Sequence, residues 1–582
     1  MDYALLALFG IFAIVAVARF APRVGVAAPL ILVVVGIAVS FVPWVPAFDF
    51  PPELILSVVL PPILYSAAVN VPLVDFRRNL KAITGLSVLL VLVSALVSGA
   101  LLYLLLPDLS LPAAIALGAV ISPPDAVAAT SIGKRLGLPP RLVTVLEGEG
   151  LVNDATALVL LRSAIAATAG TVSLAEIAGD FLYAVAAAIA IGAVVGLVTV
   201  WMRSRLRDAV LTTTISFAVP FLAFLPAEEV GASGVLAVVV AGLITGHSSA
   251  RRFSAQDRIS ERINWRTAQF VLENGVFLLM GIELKALVEQ VRDGHLGLGN
   301  AVWFGVLATV ALIVVRILFV VPLIALLRRE QRRAEGQGKQ LDVVLERLDQ
   351  ADSDADSEAD SGAESTATRH RSRMRRLVTR KRADVDFLAS EGLGWRGGAV
   401  LAWSGMRGVV TLAAAQSLPT DIPYRPQLIL IAFTVAVLTL LLQGGTLPLL
   451  IRRLRIVGTD AAADRTELAG LIDEICEVGA SSLDDPELLR ENGGDFDAAA
   501  IERARNDSVM RSESVAEPGD GNPGPHRQYR ILRQRVLQAE RAALLDARST
   551  GSYSSRVMER AQTILDLEES RLVQLDQGST HS

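Results

Sequence analysis

Long apolar runs dominate the sequence from residue 3 to about residue 451. A run of about 18 or more apolar residues is long enough to cross the hydrocarbon core of a bilayer as a helix. Only 19% of the residues are charged, whereas a soluble chain has about a quarter. The chain is therefore predicted to be an all-α polytopic membrane protein, which excludes an ordinary soluble enzyme.

The apolar runs define thirteen predicted transmembrane helices. The loops between them alternate: one set is rich in Arg and Lys, and the other holds only Arg292 and Arg425. Because positive residues in short loops stay on the cytoplasmic side, the N-terminus is predicted outside and the C-terminus in the cytoplasm. The same bias favours a bacterial plasma (inner) membrane. The predicted spans are residues 3–19, 24–42, 53–69, 82–106, 111–130, 141–166, 175–202, 208–226, 230–247, 267–288, 299–327, 394–417 and 426–451.

Residues 1–455 are predicted to form the transporter domain. Two regions outside the spans are predicted to be cytoplasmic, and the first of them lies within this domain. This is the loop 328–393, whose acidic stretch Asp349–Glu364 cannot bury a core and is predicted to be disordered. It is either a solvated linker or a regulatory, lipid-binding loop. The second is the tail 458–582, with predicted helices over 461–478, 497–511, 527–549 and 553–576 and a Pro/Gly-rich break at Glu517–Pro525.

Composition and missing motifs exclude several functions. The net charge of −5 disfavours a nucleic-acid partner, and five histidines with the single Cys476 leave little material for a zinc or haem site, so no cofactor is predicted. The sequence has no Walker-A or GxGxxG fingerprint in a strand–helix setting, which argues against ATP-driven transport. It also lacks an HExxH motif, and neither Asp125 nor Asp154 has the GxGD setting of an intramembrane protease. The chain is predicted not to be an enzyme.

The fifth span contains the sequence Ser122-Pro-Pro-Asp125. Proline lacks an N–H and its ring clashes with the preceding turn, so a continuous helix is not expected here. Ser122 is predicted to cap a second half-helix, with Pro123 as its first residue and Asp125 as its third. Asp125 then either neutralises the positive end of that half-helix or contacts a cation directly.

The twelfth span contains a second predicted interruption, at Ser404-Gly-Met-Arg-Gly408. Its glycines permit an unwound turn, and Arg407 could offset the carbonyl ends of the broken helices. Two interrupted spans at corresponding positions are typical of inverted-repeat transporters, in which the binding site lies where the broken helices cross near the midplane.

The sixth span contains Glu149, Asn153 and Asp154. Glu149 and Asn153 share a helix face because they are four residues apart, and Asp154 lies about 100° further round. One carboxylate, an amide carbonyl and freed backbone carbonyls suit a hard monovalent cation. The carboxylate also binds a proton, so cation and proton would compete for it. The alternative is that Asn153 and Asp154 form only a hydrogen-bond clamp between helices.

The chain resembles the monovalent cation:proton antiporters, specifically their electroneutral NhaP/NHE-like branch, through about residues 1–455. The resemblance rests on six motifs in order: Leu60-Pro-Pro-Ile-Leu64, Ser122-Pro-Pro-Asp125, Glu147-Gly-Glu149 through Asn153-Asp154, Glu273 to Gly281, the arginine motifs at Ile313–Arg316 and Gly405–Gly408, and Phe433-Thr434 with Gln443-Gly444.

The resemblance implies a homodimer embedded in membrane lipid, with a core bundle that moves against a dimerisation scaffold. It implies that Asp154 binds a monovalent cation, Na⁺ or alternatively K⁺ or Li⁺, in competition with H⁺, and that Asn153 supports the site. It further implies two buried ion pairs, Glu149 with Arg407 and Glu273 with Arg316. A neutral residue at Asn153 resembles the branch that exchanges one proton for one cation. The alternative function is a cation channel or an ion or pH sensor on the same fold.

Overall fold

Two separate units make up the chain, Met1–Ile456 and Val457–Ser582. The computed structural model describes residues 2–24, 26–42, 51–169, 174–206, 208–292, 297–358, 393–456 and 461–484, with short helical stretches within 374–387, 499–506 and 532–572. Every regular element in these described residues is helical, in agreement with the predicted all-α class.

The first unit is a bundle of helices, joined in three described places by π-helical turns. These turns are Leu54–Val59, Gly85–Leu89 and Leu440–Gly444. The helices are α1 (Asp2–Val24), α2 (Ala28–Ser40), α3 (Leu60–Asn70), α4 (Leu73–Arg78), α5 (Leu80–Thr84), α6 (Leu90–Leu105), α7 (Leu111–Ile121), α8 (Ala126–Arg135), α9 (Pro140–Ala169), α10 (Leu174–Arg203), α11 (Ala209–Glu229), α12 (Gly234–Arg252), α13 (Ala255–Ile282), α14 (Leu284–Arg292), α15 (Leu298–Glu358), α16 (Trp395–Trp403), α17 (Val409–Gln416), α18 (Arg425–Thr439) and α19 (Gly445–Leu454).

Helix length and composition account for most of the predicted spans. Among the described residues, seven helices are long and apolar enough to cross a membrane, and four shorter apolar helices coincide with further predicted spans. The two remaining predicted spans fall on α13, whose first half is polar, and on the interrupted pair α16 and α17. The multi-span helical fold is confirmed, and the count of thirteen stays a prediction.

Helix α13 is held at its start by a cap and in its second half by close packing. The Ser254 hydroxyl accepts from the Asp257 N–H at 3.1 Å, and the Asp257 carboxylate accepts from the Ser254 N–H at 3.2 Å. This reciprocal capping box satisfies two N–H groups at the helix start. Further along, a Cβ on Gly281 would lie 2.4 Å from the Val33 carbonyl oxygen of α2. The absence of a side chain at Gly281 therefore lets the two backbones touch.

The long loop departs from its prediction in one respect. Disorder was predicted over Asp349–Glu364, but α15 continues from the last residues of its span to Glu358. The segment before the acidic stretch is rich in Arg, Gln, Glu and Leu, which are strong helix formers, and adding residues to a helix that already exists is easier than starting one. The rest of the stretch lies outside the described residues. Later in the loop, Arg382 pairs with Asp342 of α15 at 2.5 Å.

The second unit contains one long described helix, α20 (Ala461–Ser481), where a helix over 461–478 was predicted. Only fragments of the predicted helices 497–511, 527–549 and 553–576 fall within the described residues. The Pro/Gly-rich break at Glu517–Pro525 lies outside them.

Candidate ion-binding site

Both predicted interruptions are present, and the interrupted segments lie against each other. Residues 122–125 separate α7 from α8, and residues 404–408 separate α16 from α17. The backbone N–H of Asp125 donates to the carbonyl oxygen of Met406 at 2.5 Å. The prolines of the first segment and the glycines of the second thus bring two broken helices into contact, as in inverted-repeat transporters.

Gly408 marks the closest approach of the two segments. A Cβ atom at this position would lie 1.9 Å from Oδ2 of Asp125 and 2.6 Å from its Cγ. The Gly408 backbone is extended, with φ −116°, so any residue type could adopt its conformation. Glycine is required here because any side chain would clash with Asp125, and not because of the backbone angle.

We expect Gly408→Ala to push the two segments apart. Overpacking of this kind costs about 1–3 kcal/mol, so the variant should show a lower melting temperature. Gly445→Ala is the matched control, because a Cβ on Gly445 would meet nothing within 4 Å and alanine favours a helix. Thermal unfolding of both purified variants measures the difference. Equal melting temperatures would contradict the close approach at Gly408.

Asp125 is the N-cap of α8. Its Oδ1 accepts a hydrogen bond from the Val127 N–H at 2.8 Å. The prediction that Ser122 caps this half-helix was wrong, because α8 begins only at Ala126. The residue before a proline is disfavoured in the helical conformation, so Pro124 keeps the helix from starting at Pro123.

Arg407 binds the carbonyl ends of both interruptions. Its Nε donates to the Ile121 carbonyl at 3.0 Å and its Nη2 to the Ser122 carbonyl at 3.3 Å. Its Nη1 donates to the Gly405 carbonyl. These carbonyl groups lie at helix ends, where the backbone carries partial negative charge. Arg407 therefore offsets the carbonyl ends of the broken helices, as its position in the sequence suggested.

The ion pair predicted between Glu149 and Arg407 was wrong, because Glu149 pairs with Arg316 of α15. Two parallel hydrogen bonds of 2.6 and 2.9 Å join the guanidinium to the carboxylate. The Nε of Arg316 donates to the Leu401 carbonyl at 2.9 Å, and both members of the pair are buried. The guanidinium of Arg407 is occupied by carbonyl groups, which leaves the Glu149 carboxylate to Arg316.

The ion pair predicted between Glu273 and Arg316 was also wrong, because Arg316 pairs with Glu149. The Nε, Nη1 and Nη2 atoms of Arg316 all donate to Glu149 or Leu401. The Glu273 carboxylate instead accepts a hydrogen bond from Nε2 of Gln269, one turn earlier on α13, at 2.6 Å.

Asn153 and Asp154 are adjacent on α9 but have different environments. The side-chain N–H of Asn153 donates to the Pro124 carbonyl at 2.5 Å, and its Oδ1 accepts from the Asp154 N–H at 2.6 Å. Asn153 thus satisfies a carbonyl group freed by the first interruption, and it does not line the cavity described next. No described residue donates a hydrogen bond to the Asp154 carboxylate, which faces that cavity.

A cavity of about 550 Å³ contains the carboxylates of Asp125, Asp154 and Glu273. The exposed side chains of Lys134, Arg262 and Arg266 lie at its open end. On the other side of Asp154 the helices close around a void of only about 10 Å³. The apolar side chains at this closed side include Val120, Ala157, Leu158, Leu161, Val410 and Ala414. Asp154 is therefore reached from one end of the bundle and sealed from the other.

Residues 10–453 match the family model described as sodium/hydrogen exchanger, transmembrane. The chain belongs to this family. The match includes both interruptions, the buried ion pair and the cavity carboxylates Asp125, Asp154 and Glu273. Members of the family are multi-pass membrane transporters, which agrees with the fold.

Relatives of this exchanger extend over most of its length. An uncharacterised Na⁺/H⁺ exchanger of Mycobacterium tuberculosis is 27% identical over 565 residues, which cover 95% of this chain and 93% of that protein. The Na⁺/H⁺ antiporter ApNhaP of Aphanothece halophytica is 27% identical over 442 residues, covering 75% and 71%. The solved sodium proton antiporter MjNhaP1 of Methanocaldococcus jannaschii has the same fold, with a TM-score of 0.55 and 16% identity over 78% of this chain and 99% of that one.

Sequence reasoning missed one residue of the exchanger's cavity, Gln269, and the contact that it makes with Ser66. Gln269 lines the cavity, and its Oε1 accepts a hydrogen bond from the buried Ser66 hydroxyl of α3 at 2.8 Å. The sequence held a signal for Gln269, because it lies four residues before Glu273 and therefore on the same helix face. Ser66 stands where many relatives carry an acid in the third span, but its hydrogen bond to Gln269 could not be predicted, since nothing local shows which helix faces it.

Proposed function

We propose that the chain is a secondary antiporter that exchanges a monovalent cation, Na⁺ before K⁺ or Li⁺, for H⁺ at Asp154. The environment of Asp154 carries this proposal. Its carboxylate lies in a cavity that opens at one end, it has no hydrogen-bond donor among the described residues, and apolar side chains seal it behind. The printed names of ApNhaP and MjNhaP1 as sodium proton antiporters support Na⁺ as the cation.

Exchange follows from competition for one carboxylate. An empty, charged Asp154 is costly to move through the bilayer centre, by at least about 2.5–3.5 kcal/mol. A bound cation or a bound proton neutralises the charge, so the loaded forms can turn from one side to the other. Each half-cycle carries one positive charge, the cation or the proton, on the one negative carboxylate of Asp154, and the neutral Asn153 adds no charge. The exchange is therefore electroneutral. The membrane potential, about 2.3 kcal/mol per charge per 100 mV, then does not drive it.

The neighbouring groups support the carboxylate in different ways. Asn153 and Arg407 hold the interruptions in place through the carbonyls of Pro124 and Ile121. Asp125 caps α8 and adds negative charge to the cavity that attracts a cation. Asn153 therefore acts on the ion through the helix break and not as a ligand.

We place the cavity mouth at the cytoplasmic side of the plasma membrane. Lys134, Arg262 and Arg266 lie at the mouth, and positive side chains accumulate on the cytoplasmic side. The same rule places the C-terminus in the cytoplasm. The family resemblance supports a homodimer in membrane lipid. The apolar side chains behind Asp154 support an exchanger over an open channel, because an open channel needs a continuous path.

Everted membrane vesicles with an acidic interior and a pH-sensitive dye test the proposal. Added Na⁺ should dissipate the proton gradient, and K⁺ and Li⁺ added in turn rank the ions. Because H⁺ and the cation compete, the apparent KM for the cation should rise as the pH falls, by up to about tenfold per unit, the mass-action limit for one proton. Vesicles without the protein are the control. A KM that does not change with pH would contradict competition at one carboxylate.

A further inference from the structure

One face of α13 carries polar side chains into the cavity. Arg262, Arg266, Gln269 and Glu273 are spaced four, three and four residues apart, so they follow one another along a single helix face. All four line the cavity. The two arginines lie at its open end, and Glu273 lies further along the helix. The polar face thus leads from the mouth to a carboxylate.

The Glu273 carboxylate is held in place by two hydrogen bonds in series. Ser66 is fully buried, and its hydroxyl donates to Oε1 of Gln269 at 2.8 Å. The NH₂ group of Gln269 is therefore turned toward Glu273, where it donates to Oε1 at 2.6 Å. No described residue hydrogen-bonds the second carboxylate oxygen of Glu273, and no described cation pairs with it. One oxygen is fixed and the other is available to a ligand in the cavity.

Three carboxylates surround the same space without forming salt bridges among the described residues. Asp154 on α9 and Asp125 at the start of α8 are close enough for their charges to interact, and Asp125 also acts on Glu273. Lys134 at the mouth is the cation that acts on Glu273. A hard cation takes several oxygen ligands as it sheds water. Asp154 alone does not supply them.

We propose that Glu273 is a second cation-binding carboxylate of this cavity, at which the incoming monovalent cation docks before it reaches Asp154. Gln269 and Ser66 are the positioning residues that orient it. This proposal rests on the antiporter function proposed above and assigns to Glu273 the capture of the cation from the mouth.

Glu273→Gln tests the proposal through the apparent KM for Na⁺ in the vesicle assay. The variant keeps the size and polarity of the side chain and removes its charge. We expect the KM to rise about tenfold, corresponding to the loss of the negative charge at this ligand, with the maximal rate within about threefold of wild type. The turnover remains because Asp154 is intact.

Glu147→Gln is the matched control, because it removes one negative charge from the same cavity. Glu147 lies toward the mouth and is already paired with Lys134 at 2.6 Å. We expect its KM to stay within about twofold of wild type. An equal rise of the KM in both variants would overturn the proposal. The effect would then come from the loss of negative charge anywhere in the cavity and not from the loss of a binding site.

The roles of Gln269 and Ser66 are tested by measuring the KM for Na⁺ and the maximal rate separately in each variant. Gln269→Leu removes both hydrogen bonds of the series and should raise the KM about threefold with little change in maximal rate. A Ser66→Ala variant should show a smaller rise in the same direction. Glu273→Asp keeps the charge but shortens the side chain, so its KM should fall between wild type and Glu273→Gln. The Asp variant also decides the question if the Gln variant does not fold.

Cation binding without transport separates this proposal from the antiporter function. Na⁺, against choline at equal ionic strength, should raise the melting temperature of the purified wild type more than that of Glu273→Gln. A wild type that exchanges ions while Glu273→Gln keeps its KM and its full Na⁺ stabilisation would overturn the proposal alone. A wild type without exchange would overturn the antiporter function instead.

Discussion

Asp154→Asn is expected to abolish cation–proton exchange while the protein remains folded in the membrane. Asparagine has nearly the same shape as aspartate but neither binds a proton at physiological pH nor offers a negative charge to a cation. The Asp154 N–H that donates to Asn153 belongs to the backbone, so the substitution leaves the helix interruption intact. Exchange in the vesicle assay should fall to the level of vesicles without the protein.

The exposed Glu289 of α14 offers a matched control for the lost charge. Glu289→Gln should exchange ions at the wild-type rate, since it lies outside the cavity lining. The melting temperature of Asp154→Asn should be equal to or above that of wild type, because the substitution removes a half-buried charge that repels Asp125. Normal exchange by a folded Asp154→Asn variant would refute Asp154 as the shared binding site.

Arg316→Met is expected to give the largest loss of stability among the substitutions considered. It leaves the Glu149 carboxylate buried without its two hydrogen bonds and also frees the Leu401 carbonyl. Removing one partner of a buried ion pair costs about 3–5 kcal/mol. The melting temperature of the purified variant should fall accordingly, and transport should fall with it.

A double-mutant cycle identifies the partner of Glu149. Adding Glu149→Gln to Arg316→Met removes the unpaired charge and should recover part of the lost stability, with a coupling of about 1–3 kcal/mol. Adding the same change to Arg407→Met should recover much less, because Arg407 is hydrogen-bonded to carbonyl groups. Stronger coupling of Glu149 to Arg407 would contradict the pairing in the structure.

Features set by local backbone chemistry could be predicted from the sequence. The two helix interruptions follow from Pro123 and Pro124 in one span and from Gly405 and Gly408 in the other, and both are present. The role of Arg407 beside freed carbonyls also follows locally. The N-cap of α8 is Asp125 and not Ser122, three residues later than predicted, because Pro124 disfavours the helical conformation at Pro123.

The ion-pair partners could not be predicted in the same way. Glu149, Arg316, Arg407 and Glu273 lie on four different elements, and which two meet depends on how each helix is rotated in the bundle. An apolar span of nearly uniform hydrophobicity gives little information about that rotation. The polar face of α13 is different, because the four-residue spacing of Gln269 and Glu273 carries a signal that they share a helix face, although Gln269 was not among the predicted residues.

The hydrogen bonds of Arg407 have a consequence for the energetics of the cycle. One side chain holds carbonyl groups from both interruptions, so separating the two broken helices would expose at least three unsatisfied polar groups inside the membrane. The two segments are therefore expected to travel together, with the oxygen atoms around the ion in the same arrangement at either face. An unchanged arrangement means that the intrinsic affinity for the cation is equal on both sides, so at equal pH exchange should be half-saturated at the same cation concentration whichever way it runs.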